Sequence, residues 1–184
     1  MFQDSIYMKL TNDDYSAKLG SEEDSREIIN YLNENNVSAG FQESGDDYVY
    51  YMNPMVKSNI YQEIYVRYRL CNYKEEFILL EKNNKVEGLL GIKIPEIEGI
   101  MAVEINLMIV NRNFEYISEF INCAIDMISN YSLIKPTKIR ICLQENNAND
   151  MVELLQRMNF EFEYLGKDEL GWDKSTIVYS RMIS

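Results

Sequence analysis

The chain has 184 residues, with 18 lysines and arginines, 30 aspartates and glutamates and no histidine, so its formal net charge is −12. Because single domains run to roughly 100–200 residues, we expect one domain spanning 1–184. The lack of histidine excludes a Ser-His-Asp triad, a histidine general base and Cys/His zinc sites. The acidic balance disfavours nucleic acid and anionic membranes as partners and is compatible with a cationic ligand.

The cysteines and the N-terminal residues indicate a cytoplasmic protein. Cys71, Cys123 and Cys142 are odd in number and far apart, which is typical of small buried side chains in a reducing compartment. No apolar run approaches about 18 residues, and the opening MFQDSIYMKLTNDD lacks the basic and apolar regions of a signal peptide. We therefore expect no membrane span, no disulfide framework and no metal site.

The first half of the chain predicts strands and helices separated by one long loop. Ser21, followed three residues later by Asp24, resembles a helix N-cap with an acidic first turn. We expect a strand at Ile6–Leu10, a helix at Glu22–Asn35, a loop over 38–57 with a short strand at Tyr48–Met52, and a second helix from Ser58 to Tyr73.

The second half alternates strands with amphipathic helices. Two apolar runs on either side of the polar stretch Glu81–Lys85 predict a β-hairpin, and the nearly continuous apolar run Met101–Val110 predicts a central strand. Asn159 stands where a helix would take its left-handed cap residue. We further expect helices over 111–132 and 146–159, a strand at Lys138–Leu143, and two closing strands over 160–166 and 175–183.

The predicted order β-α-α-β-β-β-α-β-α-β-β, together with three local stretches, resembles the GNAT superfamily of N-acetyltransferases. Lys85, Val86 and Gly88 match the family's "K-V-x-G" segment, and Glu104, six residues before Val110, matches its "a-E-l-x-x-l-x-V" strand. The stretch ENNANDMVELLQRMNFEFE is similar to its "N-x-x-A-x-x-l-Y-x-x-x-G-F" segment. The resemblance implies a single α/β domain, with a mixed sheet of about seven strands and about four helices on its faces.

The chain departs from the family at the residues that hold coenzyme A. The family's glycine-rich turn "Q/R-x-x-G-x-G/A" binds the diphosphate through backbone N–H groups at a helix N-terminus. Here NRNFEYISEF follows the strand, without glycine, and we expect Glu115 to place a negative charge in the first turn of that helix. The family's acidic tyrosine is replaced by Leu155. Either the loop has been rebuilt and acyl-CoA binds through other contacts, or cofactor binding has been lost.

Glu104 is the candidate general base, because an ammonium group must lose a proton before it attacks a thioester. Alternation with Asn106 and Met108 predicts that it faces one side of the central strand. The alternative is a carboxylate paired with a basic residue across the sheet. Tyr164 is the candidate acid for the leaving thiolate, and Tyr179 is an alternative that the sequence does not separate from it.

The remaining candidates are implied by the resemblance. The segment between the first two helices often lines the acceptor site in the family, and carboxylates with aromatic faces suit a cationic amine. In the family, pantetheine inserts like an extra strand between the fourth and fifth strands, which splay apart. The acceptor candidates are Asp46, Asp47, Tyr48, Tyr50 and Trp172; the acetyl-CoA candidates are Met108, Ile109, Val110, Arg112, Asn113, Asn146 and Asn147.

Two functions of different classes follow from these features. The first is acetyl-CoA-dependent N-acyl transfer to an amine of a small molecule or peptide. The second is a catalytically silent GNAT-like module that binds a protein or small ligand. An open cleft at the splayed strands favours the enzyme, and a cleft plugged by Phe114 or Tyr116 favours the module. A third reading is a homodimer in which a second copy completes the site.

Overall fold

The computed structural model describes residues 6–34, 48–52, 63–72, 75–94, 102–111, 114–131, 135–144, 149–167 and 175–183. These residues form nine strands, four α-helices and one short 3-10 helix at Glu22–Asp24. The strands are β1 Tyr7–Lys9, β2 Tyr15–Leu19, β3 Tyr48–Met52, β4 Glu75–Lys82, β5 Lys85–Lys93, β6 Ala102–Asn111, β7 Lys138–Gln144, β8 Glu161–Gly166 and β9 Thr176–Met182; the helices are α1 Ser25–Glu34, α2 Glu63–Cys71, α3 Ile117–Tyr131 and α4 Asn149–Arg157.

All nine strands belong to one mixed sheet. Its order is β1-β2-β4-β5-β6-β7-β9-β8, and β3 pairs with β6 beside that path. Among the described pairs only β6 with β7 is parallel. The α/β class and the four helices were predicted, but the count of about seven strands is too low.

The predicted order leaves out two strands: β3, which was expected only as a short strand within a loop, and β2, which was not expected at all. In β2 the apolar residues Tyr15, Ala17 and Leu19 alternate with two polar ones, and all three pack against one apolar core of the sheet. This alternation spans only five residues, and pairing with β1 on one edge and β4 on the other holds the segment in the sheet.

Two apolar cores cover the two faces of the sheet. On one face α3 and α4 pack with residues such as Phe120 and Leu155 against Ile105 and Met108. On the other face the side chains of α1 and α2 pack against Leu107, Ile109 and the inward residues of β4 and β5. None of the helices in the described part of the chain is long and apolar enough to cross a membrane.

Asparagine residues with positive φ form the β4–β5 turn and the end of α4, both of which the sequence predicted. Asn83 and Asn84 both have positive φ, 51° and 60°, so the β4–β5 hairpin closes on these two residues alone. The predicted hairpin is therefore present, and the outer residues of its polar stretch Glu81–Lys85 belong to the strands. Asn159 has a φ of 62°, which confirms the predicted left-handed residue after α4.

The helix starts differ from prediction by a few residues. The first helix begins as a 3-10 turn before α1, where the Asp24 carboxylate accepts hydrogen bonds from the backbone N and Oγ of Ser21, both at 2.8 Å. This agrees with the predicted N-cap. Lys18 also contacts Asp24 at 2.6 Å, so the charge is paired. The described part of the second helix starts at Glu63, and the predicted start at Ser58 lies outside the described residues.

Candidate functional site

The strands β6 and β7 stay together for only four residue pairs. Their parallel pairing runs from Ala102 with Lys138 to Ile105 with Ile141. Beyond this point β6 continues to Asn111, while β7 pairs with β9 alone among the strands that the structure describes. The two strands therefore diverge, and the edge of β6 over residues 107–111 turns away from its parallel neighbour. The GNAT resemblance predicts a splay of this kind, and the binding of pantetheine at it stays a prediction.

A β-bulge at Asn106 lies at the vertex of the divergence. Gly91 pairs with Leu107 and Ile92 with Ile105, so Asn106 is the extra residue in β6. The bulge reverses the alternation of side chains, because Ile105 and Met108 both face α3. Glu104 points to the opposite face from Met108. The prediction that simple alternation puts Glu104 and Met108 on one face is therefore wrong.

Two polar side chains that the sequence analysis missed are buried beside this bulge. Glu75 is 0% exposed and Asn106 is 1% exposed. A Cβ added to Gly91 would lie 2.8 Å from Glu75 Oε1 and 3.1 Å from Asn106 Oδ1, so both oxygens converge where this glycine leaves space. The Asn106 amide has no hydrogen-bond partner among the described residues. In the sequence, the one sign of this pair is that Asn106 is a single amide residue within the apolar run Met101–Val110.

Glu104 stands between two basic residues in the sheet. It is the register partner of Lys93 on β5 and of Arg140 on β7. Its negative charge contributes to raising the pKa of Arg140, after the larger effect of the hydrogen bond from Arg140 to Glu163. This placement agrees with the alternative of a carboxylate paired across the sheet, and it leaves the catalytic role of Glu104 a prediction.

The neighbouring carboxylate, Glu163, is held in a compact ion-pair cluster. Arg140 Nε lies 3.1 Å and 3.0 Å from its two oxygens, and Lys138 Nζ lies 3.3 Å from Oε1. The hydrogen bond from Arg140 lowers the pKa of Glu163 to about 2. Glu163 therefore carries a negative charge at neutral pH and compensates the cations next to Glu104.

The strand β3 occupies the free edge of β6. Tyr48 pairs with Asn111, Tyr50 with Ile109 and Met52 with Leu107 in an antiparallel register. The structure thus brings predicted acceptor residues, Tyr48 and Tyr50, against the backbone of the predicted acetyl-CoA residues Met108, Ile109 and Val110. Nothing is described of the β3 side chains, so their contact with an acceptor remains a prediction.

The first turn of α3 contains a carboxylate, which makes the N-terminus of this helix unfavourable for an anion. It starts at Ile117, so the carboxylate in its first turn is Glu119, and the predicted placement of Glu115 in that turn is wrong. Glu119 Oε1 accepts hydrogen bonds of 2.7 Å from both the backbone N and the Oγ1 of Thr11. A diphosphate bound at this N-terminus would approach a fixed carboxylate, which is unfavourable.

The aromatic residues before α3 do not form the plug that the sequence suggested. Phe114 packs against Tyr15 of β2 with ring centroids 5.1 Å apart, and Tyr116 packs against Phe114 at 5.7 Å. A hydrogen bond to Glu115 raises the pKa of Tyr116. These rings join the α3-side core, and the segment at the free edge of β6 is β3.

The other predicted residues are either remote or outside the described chain. Tyr164 is 46% exposed on β8, three strand spacings from β6, which is about 14 Å at ~4.8 Å per spacing. Tyr179 is buried in the core of α3 and α4 and faces away from Glu104. The residues outside the description are Asp46, Asp47, Arg112, Asn113, Asn146, Asn147 and Trp172.

Comparison with solved structures identifies the fold. A ribosomal-protein-S5-alanine acetyltransferase from Vibrio fischeri matches with a TM-score of 0.66 at 13% identity, over 96% of each chain. A spermidine N-acetyltransferase variant from Vibrio cholerae matches with 0.67 at 16%, over 93% of this chain and 95% of that one. A GNAT-family acetyltransferase from Streptococcus pneumoniae matches with 0.62 at 16%, over 92% and 99%.

These matches confirm the GNAT-like fold that the element order predicted. No family profile matches the sequence, and no curated protein matches it either. At these identities the likeness concerns the fold, and activity must be argued from the site itself.

Proposed function

We propose that this chain transfers an acyl group, acetyl in the first instance, from acyl-CoA to an amine of a small molecule or peptide. The observation that carries the proposal is the divergence of β6 and β7 beyond Ile105 and Ile141, with the bulge at Asn106 at its vertex. An extended arm that contains amides can add to a strand edge through main-chain hydrogen bonds. The pantetheine arm of acyl-CoA is such a group, and we infer that it adds to the edge of residues 107–111 that β3 occupies in this structure.

The residues at the vertex suit amine acylation. A bulged residue leaves its backbone groups outside the regular ladder, so the main chain at Asn106 can supply a donor to the thioester carbonyl. A carboxylate can take the proton of the attacking ammonium, directly or through water. We assign this role to Glu104, with the buried Glu75 as the nearby second carboxylate. Tyr164 remains the candidate acid only if it acts through an intervening group.

We infer that the acceptor is a cationic amine. The net charge of −12 attracts cations, and the predicted acceptor segment at Asp46, Asp47, Tyr48 and Tyr50 combines carboxylates with aromatic rings. Two of the structural neighbours are named for their acceptors, an alanine of ribosomal protein S5 in one case and spermidine in the other, and both acceptors carry amino groups. Cytoplasmic location and a homodimer are further parts of this proposal.

A silent binding module is the second candidate. Two observations favour it: β3 already fills the edge that acyl-CoA would use, and Glu119 occupies the first turn of α3. In that case the fold is retained and the same edge presents a surface to a protein or small ligand.

Calorimetric titration with acetyl-CoA separates the two candidates, with free CoA as a comparison ligand. A micromolar dissociation constant, about −8 kcal/mol, supports the enzyme. Amines are then screened with wild type, Glu104→Gln and the control Glu87→Gln, which changes an exposed carboxylate on β5. We expect Glu104→Gln to lower kcat by about 10²–10⁴-fold without weakening acetyl-CoA binding. Absence of binding at millimolar acetyl-CoA would favour the silent module.

A further inference from the structure

The strand β6 has both of its edges in use over residues 107–111. On one edge β5 pairs with it from Gly88 with Val110 to Gly91 with Leu107. On the other edge β3 pairs with it from Tyr48 with Asn111 to Met52 with Leu107. A strand has only two edges for main-chain hydrogen bonds. An extended ligand can therefore join β6 here only where one of these two strands leaves.

The two strands differ in how firmly they are held. The hairpin joins β5 to β4, and its inward residues Leu89 and Leu90 are fully buried. Within the described strands β3 pairs with β6 alone. Removing β5 would open both cores and break its ladders with β4 and β6, whereas the main-chain pairing described for β3 is one five-residue ladder. The replaceable strand is therefore β3.

The position of β3 also coincides with the space between the diverging strands. The pairing of β6 with β7 ends at Ile105, and the pairing with β3 begins two residues later at Leu107. The bulged Asn106 lies between the two ladders. The strand β3 thus inserts as an antiparallel segment where the parallel neighbour has turned away.

We propose that β3 is an internal occupant of the acyl-CoA cleft and that it must leave β6 before acyl-CoA binds. This inference rests on the function proposed above. It makes the resting chain autoinhibited, because the apparent dissociation constant equals the intrinsic one divided by the fraction of molecules with β3 detached. Detachment also moves Tyr48 and Tyr50, so entry of the acyl donor is coupled to rearrangement of the predicted acceptor segment.

Proline substitution in β3 tests this directly. The backbone N–H groups of successive residues in a strand point alternately to its two edges. Val49 and Met52 are three residues apart, so one of the two N–H groups that the double variant Val49→Pro/Met52→Pro removes points at β6. The matched control is Met8→Pro in β1 at the far end of the sheet, a strand that pairs with β2 alone among the described strands. Acetyl-CoA affinity is measured by calorimetry for wild type and both variants, after thermal unfolding shows that each is folded.

We expect the β3 variant to bind acetyl-CoA at least about tenfold more tightly than wild type, and the β1 control to bind as wild type does. Equal affinity of wild type and the β3 variant would overturn autoinhibition and leave the proposed function standing. Absence of binding by any folded variant would overturn both.

Hydrogen exchange gives a second readout that does not depend on a variant. With saturating acetyl-CoA, the amides of Tyr48–Met52 should exchange faster, and those of Leu107–Asn111 should stay protected because the ligand replaces β3. Continued protection of Tyr48–Met52 in the complex would refute displacement even where acetyl-CoA binds.

Discussion

The substitution Asn106→Leu should stabilise the chain, although it changes a buried residue in the central strand. Asn106 is 1% exposed, and its amide has no hydrogen-bond partner among the described residues. An unsatisfied buried polar group costs about 1–3 kcal/mol, and leucine removes that cost at similar shape. After an allowance for the larger side chain at a bulge, we expect a gain of about 1–2 kcal/mol. For a chain of this size that corresponds to about 2–8 °C in Tm.

Urea unfolding and scanning calorimetry measure the effect, and Asn122→Leu is the matched control. Asn122 Oδ1 accepts a 3.0 Å hydrogen bond from Arg181 Nη1, so the same chemical change there should cost about 1.5–3 kcal/mol. Asn106→Ala checks that any loss in the leucine variant does not come from its size. If Asn106→Leu and Asn106→Ala both destabilise as Asn122→Leu does, the amide is satisfied in the folded protein and the reasoning fails. Under the proposed function, the stabilised variant should also turn over more slowly.

Three further predictions follow from single contacts. Glu163→Gln should lower the free energy of unfolding by about 1–2 kcal/mol at pH 7. The loss is no larger because the side chain of its partner Arg140 is 35% exposed, so solvent screens the ion pair. Since the folded pKa of about 2 lies below the ordinary 4.5, this stabilisation is complete above pH 4.5 and is lost as the pH falls towards 2, so urea midpoints of wild type and variant should converge there. Gly91→Ala should destabilise by about 1–3 kcal/mol, because its Cβ would lie 2.8 Å from Glu75 Oε1; an unchanged midpoint would show that this buried region has room. Glu119→Gln should tighten acetyl-CoA binding if the diphosphate lies at the N-terminus of α3, whereas unchanged affinity would place the diphosphate elsewhere.

The elements with strong local patterns were predictable from the sequence. The hairpin of β4 and β5, the central strand β6 and the amphipathic α3 each have a clear period. The three strands lie at nearly the predicted bounds, whereas α3 begins at Ile117, six residues after the start of the predicted range 111–132. Asn159 was predictable for a different reason, because asparagine tolerates the left-handed conformation that ends α4. Their order was enough to identify the fold.

The features that define the site were not predictable, because they depend on pairing between distant segments. A single extra residue at Asn106 reverses which face Met108 occupies, and nothing in the apolar run Met101–Val110 marks that residue as a bulge. The short strand Tyr48–Met52 was predicted, but its partner was not. Its pairing with residues more than fifty positions later is a tertiary property that a local pattern does not contain.

The enzyme and the silent module differ by a competition for one strand edge. A tethered segment such as β3 acts on its partner with an effective concentration on the order of millimolar. If acyl-CoA only replaced the main-chain hydrogen bonds between β3 and β6, its binding free energy would barely exceed that of β3. Micromolar binding therefore requires about 4 kcal/mol of additional binding free energy from contacts elsewhere. Under the proposed function, a diphosphate at the N-terminus of α3 would supply such contacts, and Glu119 lies in the first turn of that helix. Combining Glu119→Gln with the β3 proline variant therefore separates the two barriers: if they act independently, the gains in acetyl-CoA affinity should multiply.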